Sequence, residues 1–425
     1  MKNENDKKEN VNLPPDKAFS RRSFLHAAGA GAAAFGLLQI GCTATKKTQQ
    51  KPAAADTPKI AGFEKAATDE SASKDWVPVS DWKIRVGLIG YGVCKFAAQF
   101  GFQDHPNVEV AAVSDLFPDR CAELAKVTRC NKTYPSLEEL IKDNTIEAVF
   151  IATDAPSHAR HAIAALEHGK HVACAVPAVF NSVEDAYKLY DAVKRSGKKY
   201  MMFETSAYHA DVHEMRELYK LGAFGKLIYS EGEYYHYFGT PLGGYKNWRE
   251  GMPPMFYPTH ATAYHICVSG ASFTEVSCLG LRSTVPQYQP SNNVYKSGFG
   301  TQVALFRTSD NASSRMTISW DTPGFGAEAG RIRGEKGSYT GKYQGIVKGL
   351  PAAISRPPIP PTMQLGGHGG AHGPLTNEFV TALLQNRHPL VDVATALNLT
   401  VPGAIAHESS LKDGEWMKIP QFKMW

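Results

Sequence analysis

Two groups of residues in this 425-residue chain have the types and spacing for chemistry. The first is Gly90-Tyr91-Gly92-Val93, which follows the apolar run Val86 to Ile89, together with Asp115, which closes a second run, Val108 to Ser114. Glycines between a strand and a helix let the backbone turn tightly. They bring peptide N–H groups and the positive end of the next helix close to a pyrophosphate. An acidic residue roughly 20 positions on accepts hydrogen bonds from an adenosine ribose. The pattern predicts a dinucleotide site built on Gly90, Tyr91, Gly92, Val93 and Asp115. Asp115 favours NAD because a carboxylate repels a 2′-phosphate, while Arg120 lies near enough to keep NADP open. Lys95 stands where the fingerprint has its third glycine, with its ammonium either in solvent or at the pyrophosphate.

The second group centres on His260, at the start of an expected helix. An imidazole with an ordinary pKa of ~6.5 can take a proton from a hydroxyl while hydride leaves the same carbon. Packing between domains is the plainer alternative for this histidine. Tyr264, one helical turn on, could orient the histidine or a substrate. Glu231 to Tyr237 alternates polar and aromatic residues, so one strand face could offer carboxylate and imidazole to hydroxyl groups. Trp248 and Arg249 precede the rigid turn Pro253-Pro254. His368 and His372 sit in Gly366-Gly-His-Gly-Gly-Ala-His-Gly373, whose glycines suit an irregular loop approaching a ligand. The two histidines have metal-ligand spacing, but no third ligand of the H-E-x-x-H kind accompanies them, so no metal is expected.

These residues need a scaffold. Apolar runs at Val86 to Ile89, Val108 to Ser114, Ala148 to Ala152, His171 to Cys174 and Lys199 to Phe203 alternate with helical stretches at Ser136 to Lys142, His158 to His168 and Ser182 to Arg195. Such alternation predicts a doubly wound parallel sheet of Rossmann type. Ligands lie beyond the carboxyl ends of such strands, so the loops at Gly90, Asp115, Thr153, Ala175 and Glu204 converge. Thr153, Pro156, His158, Ala175 and Pro177 therefore join the cofactor-binding set. After residue 204 the pattern turns to strands at Leu227 to Tyr237, Ser272 to Leu281, Thr301 to Arg307 and Ser314 to Trp320, with helices at Leu375 to Asn386 and Val393 to His407. The fold class expected is α/β: a Rossmann domain (81–203), then a C-terminal α/β domain with a mostly antiparallel open sheet (204–425).

The N-terminus supplies an address. Ser20-Arg-Arg-Ser-Phe-Leu25, before the modest apolar run Ala27 to Ile40, reads as a twin-arginine export signal over residues 1–42. Residues 43–80 read as a disordered linker. Cys42 resembles a lipoprotein cleavage site with its leucine one position early, which leaves a lipid anchor through Cys42 open. The expected location is periplasmic or membrane-anchored, with the cofactor bound before export of the folded protein. At 43% hydrophobic residues the chain can bury a large core, and a net charge of +5 without a basic-aromatic stripe makes no case for nucleic acid. The seven cysteines show no C-x-x-C pairing, though a Cys121–Cys130 bridge stays open.

The element order, with Gly-Tyr-Gly, Val-Ser-Asp, Ile-Ala-Thr-Asp-Ala-Pro-Ser-His-Ala and Gly169-Lys-His-Val172 before a proline, resembles the Gfo/Idh/MocA oxidoreductases. The resemblance implies NAD(P)-dependent oxidation or reduction of sugars and cyclitols, a carbohydrate substrate and a homo-oligomer. One branch consists of NAD-dependent glycosidases, including α-N-acetylgalactosaminidases. Where dehydrogenase members carry Glu-Lys-Pro, this chain has Ala175-Val176-Pro177, so the family lysine that assists proton transfer is absent. The glycosidase branch has Glu-Val-Pro there. Tyr257-Pro-Thr-His260 resembles that branch's motif, which implies active-site roles for Tyr257 and His260, and Tyr208 matches another of its tyrosine positions. A domain-hinge role for Tyr208 is the alternative. The reading preferred is a periplasmic NAD-dependent oxidoreductase acting on a ring hydroxyl, such as C3, of a sugar or glycoside, with His260 as acid and base. A redox-cycling glycoside hydrolase and a non-catalytic sugar-binding lipoprotein are the alternatives.

Overall fold

The structure is a computed structural model, and it describes residues 69–324 and 326–425. The export signal, the apolar run after it, Cys42 and the linker up to residue 68 lie outside the described residues. The last part of the stretch read as linker is ordered. Glu70–Ser73 forms a 3-10 turn capped by Asp69, and the Ile359 N–H donates to the Ala72 carbonyl at 2.9 Å.

Strands β1 (Ile84–Ile89), β2 (Val108–Ser114), β3 (Thr133–Tyr134), β4 (Ala148–Ile151), β5 (His171–Ala175) and β6 (Tyr200–Phe203) form one parallel sheet in the order β3-β2-β1-β4-β5-β6. Their near-continuous apolar sequences follow from coverage on both faces by helices. The flanking helices are α1 (Phe96–Gln99), α2 (Pro118–Thr128), α3 (Leu137–Leu140), α4 (His158–Glu167) and α5 (Val183–Ser196). Two differ from expectation. The helix after the glycine turn is a single turn, α1, because Gly101 adopts a left-handed φ of 75° and stops it. The stretch from Ser136 holds only the short α3, whose Glu139 N–H is capped by the Ser136 hydroxyl at 3.3 Å.

The second sheet contains β7 (Leu227–Tyr235), β8 (Phe273–Arg282), β9 (Phe299–Thr308), β10 (Ser313–Ser319), β11 (Ala327–Gly334), β12 (Gly337–Tyr339), β13 (Tyr343–Gly345) and β14 (Met417–Lys418). Its order is β13-β12-β11-β7-β10-β9-β8-β14, antiparallel except for the central parallel pair β7 and β10. Helices α6 (Ala210–Lys220), α7 (Thr259–Ser269), the irregular α8 (Gly367–Gly370), α9 (His372–Leu384) and α10 (Val393–Ser410) complete this part. Every residue of α7 from Thr259 to Val268 is buried, so the helix has no polar stripe and is a core element. It lies so close to β7 that a Cβ on Gly232 would stand 2.0 Å from the Ala261 carbonyl oxygen. The Thr262 hydroxyl ties α7 to α10 through the Leu399 carbonyl at 2.8 Å. Cys121 and Cys130 are free thiols, which removes the bridge left open by the sequence.

Candidate active site

The carboxyl ends of the parallel strands open into a cleft of about 300 Å³. Gly90, Gly92, Val93, Asp115, Arg120, Thr153, His158 and Ala175 line it, as expected, and Trp248, Arg249 and Tyr257 close it from the second domain. Gly90 is required by its surroundings: φ is 93°, and a Cβ would stand 2.4 Å from the Ala152 carbonyl oxygen. Gly92 is different, because nothing lies within 4 Å of where its Cβ would be. A side chain there would occupy the cleft itself. The N–H groups of Gly92, Val93 and Cys94 make no hydrogen bond among the described residues, and such a run of amides suits an anion. With α1 only four residues long, these amides rather than a helix dipole would face a pyrophosphate.

Asp115 holds this turn in place. Its two carboxylate oxygens accept the N–H groups of Tyr91 at 2.6 Å and Phe117 at 2.8 Å, and each oxygen keeps a lone pair for a ribose hydroxyl. The arrangement therefore fits a dinucleotide, with the adenosine toward Asp115 and Arg120. Arg120 is stacked over the Phe117 ring at 4.4 Å. Lys95 is not at the amide run. Its ammonium pairs with Glu123 at 2.7 Å on the surface. Three expected cofactor residues do not line the cleft. The Tyr91 ring is buried and contributes through its backbone, Pro156 is exposed on the turn Ala155–Ser157, and the Pro177 carbonyl bonds the buried His158 at 2.9 Å.

A second, smaller cavity continues from the first, with Cys94, Phe96, Ala175, Val176, Arg249 and Tyr257 lining both. His260 and His368 border it, together with Tyr234, His236, Phe238 and Trp320. His260 is 3% exposed, and its Nδ1 lies 2.7 Å from Glu204 Oε1, 3.3 Å from the Thr205 hydroxyl and 3.8 Å from Glu328 Oε2. That leaves Nε2 as the ring nitrogen available to a ligand. Burial pushes the His260 pKa down, but the Glu204 and Glu328 carboxylates outweigh it and hold the pKa at about 9. The expectation of an ordinary histidine is corrected: the ring is an imidazolium at neutral pH. Burial acts to raise the Glu328 pKa, yet the nearby histidines, His260 first, bring it to about 2.

Val176 presents an apolar side chain where the resemblance expects lysine. Its carbonyl accepts the Tyr257 hydroxyl at 3.1 Å. Tyr257 thus borders both cavities with its hydroxyl engaged, and burial raises its pKa far above that of an ordinary phenol. Trp320 Nε1 and His236 Nδ1 are buried without hydrogen-bond partners. Unsatisfied buried polar atoms call for an explanation, and ligand hydroxyls between aromatic walls supply one. Tyr234 on β7 and His236 just past its end face this cavity, while Glu231 and Glu233 of β7 pair with Arg315 on the other face.

Three expected site residues lie elsewhere. The Tyr264 hydroxyl donates to the Glu328 carbonyl at 2.8 Å, so the residue supports β11 and does not touch the cavity. His372 is buried behind His368, with Nε2 at 2.8 Å from His368 Nδ1, and burial first, then His368, pushes its pKa down to about 3. Tyr208 borders a separate cavity altogether. His236 is the imidazole expected of the 231–237 strand, but the carboxylates lie on the opposite face and not beside it. Glu204, Thr205 and Glu328 were not singled out as site residues. Glu204 follows the last Rossmann strand directly, which was a usable signal, whereas Glu328 lies on a strand with no apolar pattern.

Residues 84–204 match the profile of the oxidoreductase family with an NAD-binding Rossmann fold, Gfo/Idh/MocA. Glycosyl hydrolase family 109 protein 1 of Bacteroides fragilis is 34% identical over 164 residues, 36% of this chain and 35% of that protein. The match thus spans about a third of that relative's length. A glycosyl hydrolase family 109 protein of Solibacter usitatus is 23% identical over 84% of this chain and 92% of its own. Among solved structures, levoglucosan dehydrogenase in complex with NADH superposes with a TM-score of 0.66 at 20% identity, over 80% of this chain and all of that one. Apo scyllo-inositol dehydrogenase from Lactobacillus casei gives 0.63 at 16% identity, over 80% of this chain and 99% of its own. At these identities the structural likeness establishes the two-domain fold.

Proposed function

From the match of residues 84–204 to the Gfo/Idh/MocA oxidoreductase model, we propose that the protein is an NAD-dependent oxidoreductase acting on a ring hydroxyl of a sugar or glycoside. One observation carries the reading: His260, clamped through Nδ1 by Glu204, borders a hydroxyl-ready cavity continuous with the nucleotide cleft. Bound in the cleft, the nicotinamide would supply the acceptor for hydride from the substrate carbon. His260 Nε2 takes the hydroxyl proton when the ring is neutral, and Glu204 fixes the tautomer by accepting from Nδ1. Glu204 and Glu328 then stabilise the imidazolium that results. In the reverse direction the imidazolium, already dominant at neutral pH, returns the proton to the ketone oxygen. The pair of carboxylates on His260 thus replaces the function of the lysine absent at Val176.

Asp115 supports NAD over NADP by charge. The twin-arginine motif supports export with the cofactor already bound, and hence tight retention, and Cys42 supports a lipid anchor on the exported protein. A second reading, a redox-cycling glycoside hydrolase, is supported by the names of the relatives and by Tyr257-Pro-Thr-His260. Both readings share the oxidation step and differ in product. Incubation with a panel of chromogenic glycosides, followed by mass spectrometry, separates them. A keto-glycoside with the glycosidic bond intact supports the oxidoreductase. Release of the aglycone without net ketone would replace it with the hydrolase, and absence of any nucleotide binding would remove both.

A further inference from the structure

A third cavity, of about 370 Å³, lies among α6, the segment at Arg356 and α9. It shares no lining residue with the two cavities already described, and its volume is in the range of small-molecule sites. Its charge is uneven. Arg216, Lys220, Arg356 and Arg387 line it against two carboxylates, Glu217 and Glu378. Arg387 is held by both oxygens of Glu378, at 2.6 and 2.7 Å, and Lys220 by Glu217 at 2.8 Å. Arg216 and Arg356 make their hydrogen bonds elsewhere. Arg216 Nη1 donates to the Ala207 carbonyl at 3.0 Å, and Arg356 Nη1 donates to the Tyr208 and Gly370 carbonyls at 2.9 and 2.8 Å. Arg216 Nε also lies 3.8 Å from the Glu217 oxygen that holds Lys220, so that carboxylate is shared between two cations, and the four basic side chains outnumber the two carboxylates of the wall. His213 adds no charge at neutral pH, because burial pushes its pKa down.

Tyr208 gives the independent sign of a ligand. The residue is 9% exposed and lines this cavity, yet its hydroxyl is buried with no hydrogen-bond partner. Its phenol feels the charges of Glu378 and Arg216, two of the cavity's walls. A hydroxyl donor beside basic side chains in excess of their carboxylates is the chemistry that recognises an oxyanion. We propose that the cavity between α6 and α9 is a second ligand site, for a carboxylate, sulfate or phosphate group carried on a body no larger than a single sugar ring. Tyr208, Arg216 and Arg356 contact the anion.

The test is calorimetric titration of the full chain with glucuronate at fixed ionic strength, without added nucleotide, so the result is independent of the oxidoreductase reading. Glucuronate should bind once per chain, and neutral glucose should not displace it. Tyr208→Phe should weaken binding about tenfold, since a hydrogen bond to a charged group is lost. Lys220→Gln, a surface change that leaves folding intact, should weaken it about threefold by reducing the local field. Binding should persist in His260→Ala. Competition by sulfate or inorganic phosphate as strong as by glucuronate would mark a bare oxyanion site, and weak competition an acidic-sugar site; either supports the assignment. No saturable binding, displacement by glucose, equal affinity in both cavity variants, or loss of binding in His260→Ala would overturn it.

Discussion

The Glu204–His260 pair is where burial and charge oppose each other most directly. Burial alone would leave His260 neutral, as it does His372, whose pKa falls to about 3. Two carboxylates instead raise His260 to about 9. Oxidation needs the neutral ring, so its rate should climb with pH and level off above about 9. In Glu204→Gln the climb should move down by about one to three pH units, as expected when an opposing charge is removed from an ion pair. An unshifted profile would exclude this pair as the titrating unit. The same linkage acts on stability. His260 is raised above its ordinary 6.5, so its contribution is complete below about 6.5 and fades as pH rises through 9. Thermal melts from pH 6 to 10 should therefore fall more steeply for the wild type than for Glu204→Gln. At the other site, Asp115→Asn keeps one acceptor but turns an N–H toward a backbone N–H. NAD affinity should drop about tenfold and the preference over NADP narrow, as read by fluorescence titration with both nucleotides.

At the scale of elements, the site depends on how closely helix and strand approach. Gly232 allows α7 to lie on β7 and so sets the depth of His260. Gly232→Ala would force a Cβ onto the Ala261 carbonyl and should cost about 1–3 kcal/mol. A shifted denaturation midpoint with an unchanged slope would register it, and a midpoint equal to the wild type's would show that α7 has room to move. These elements were legible to different degrees. The five long strands of the parallel sheet are apolar on both faces, and buried parallel strands announce themselves in that way. Helix α6 escaped because its inward positions include His213 and Arg216, which break the apolar period while serving a polar cavity. Strand β11, rich in Ala, Gly and charged residues, has no alternation to read, and Glu328 was missed with it. Tyr257 and His260 of the Tyr-Pro-Thr-His motif border the cavity that continues from the nucleotide cleft, whereas Tyr208 borders a separate one, because adjacency to the last Rossmann strand does not reveal which side of the turn a ring falls on.

Across the whole molecule, the parallel sheet and the α7 layer each supply one wall of a continuous space. The nucleotide cleft is framed by Asp115 and the amides after Gly92, and the hydroxyl-ready cavity by His260, His236 and Trp320. Val176 and Tyr257 form the boundary between them. This continuity would make the proposed transfer between a bound nucleotide and a sugar hydroxyl geometrically direct. The tight retention of cofactor that we propose predicts that the protein purified from cells carries nucleotide through gel filtration, and that Gly92→Val, which fills the cleft, comes out without it. The most direct test of the account is to add glycoside to nucleotide-loaded wild-type protein and His260→Ala side by side and follow the reduced-nicotinamide absorbance. The account predicts a rise in the wild type and none in His260→Ala, with equal nucleotide bound in both. An equal rise in the two proteins would contradict it.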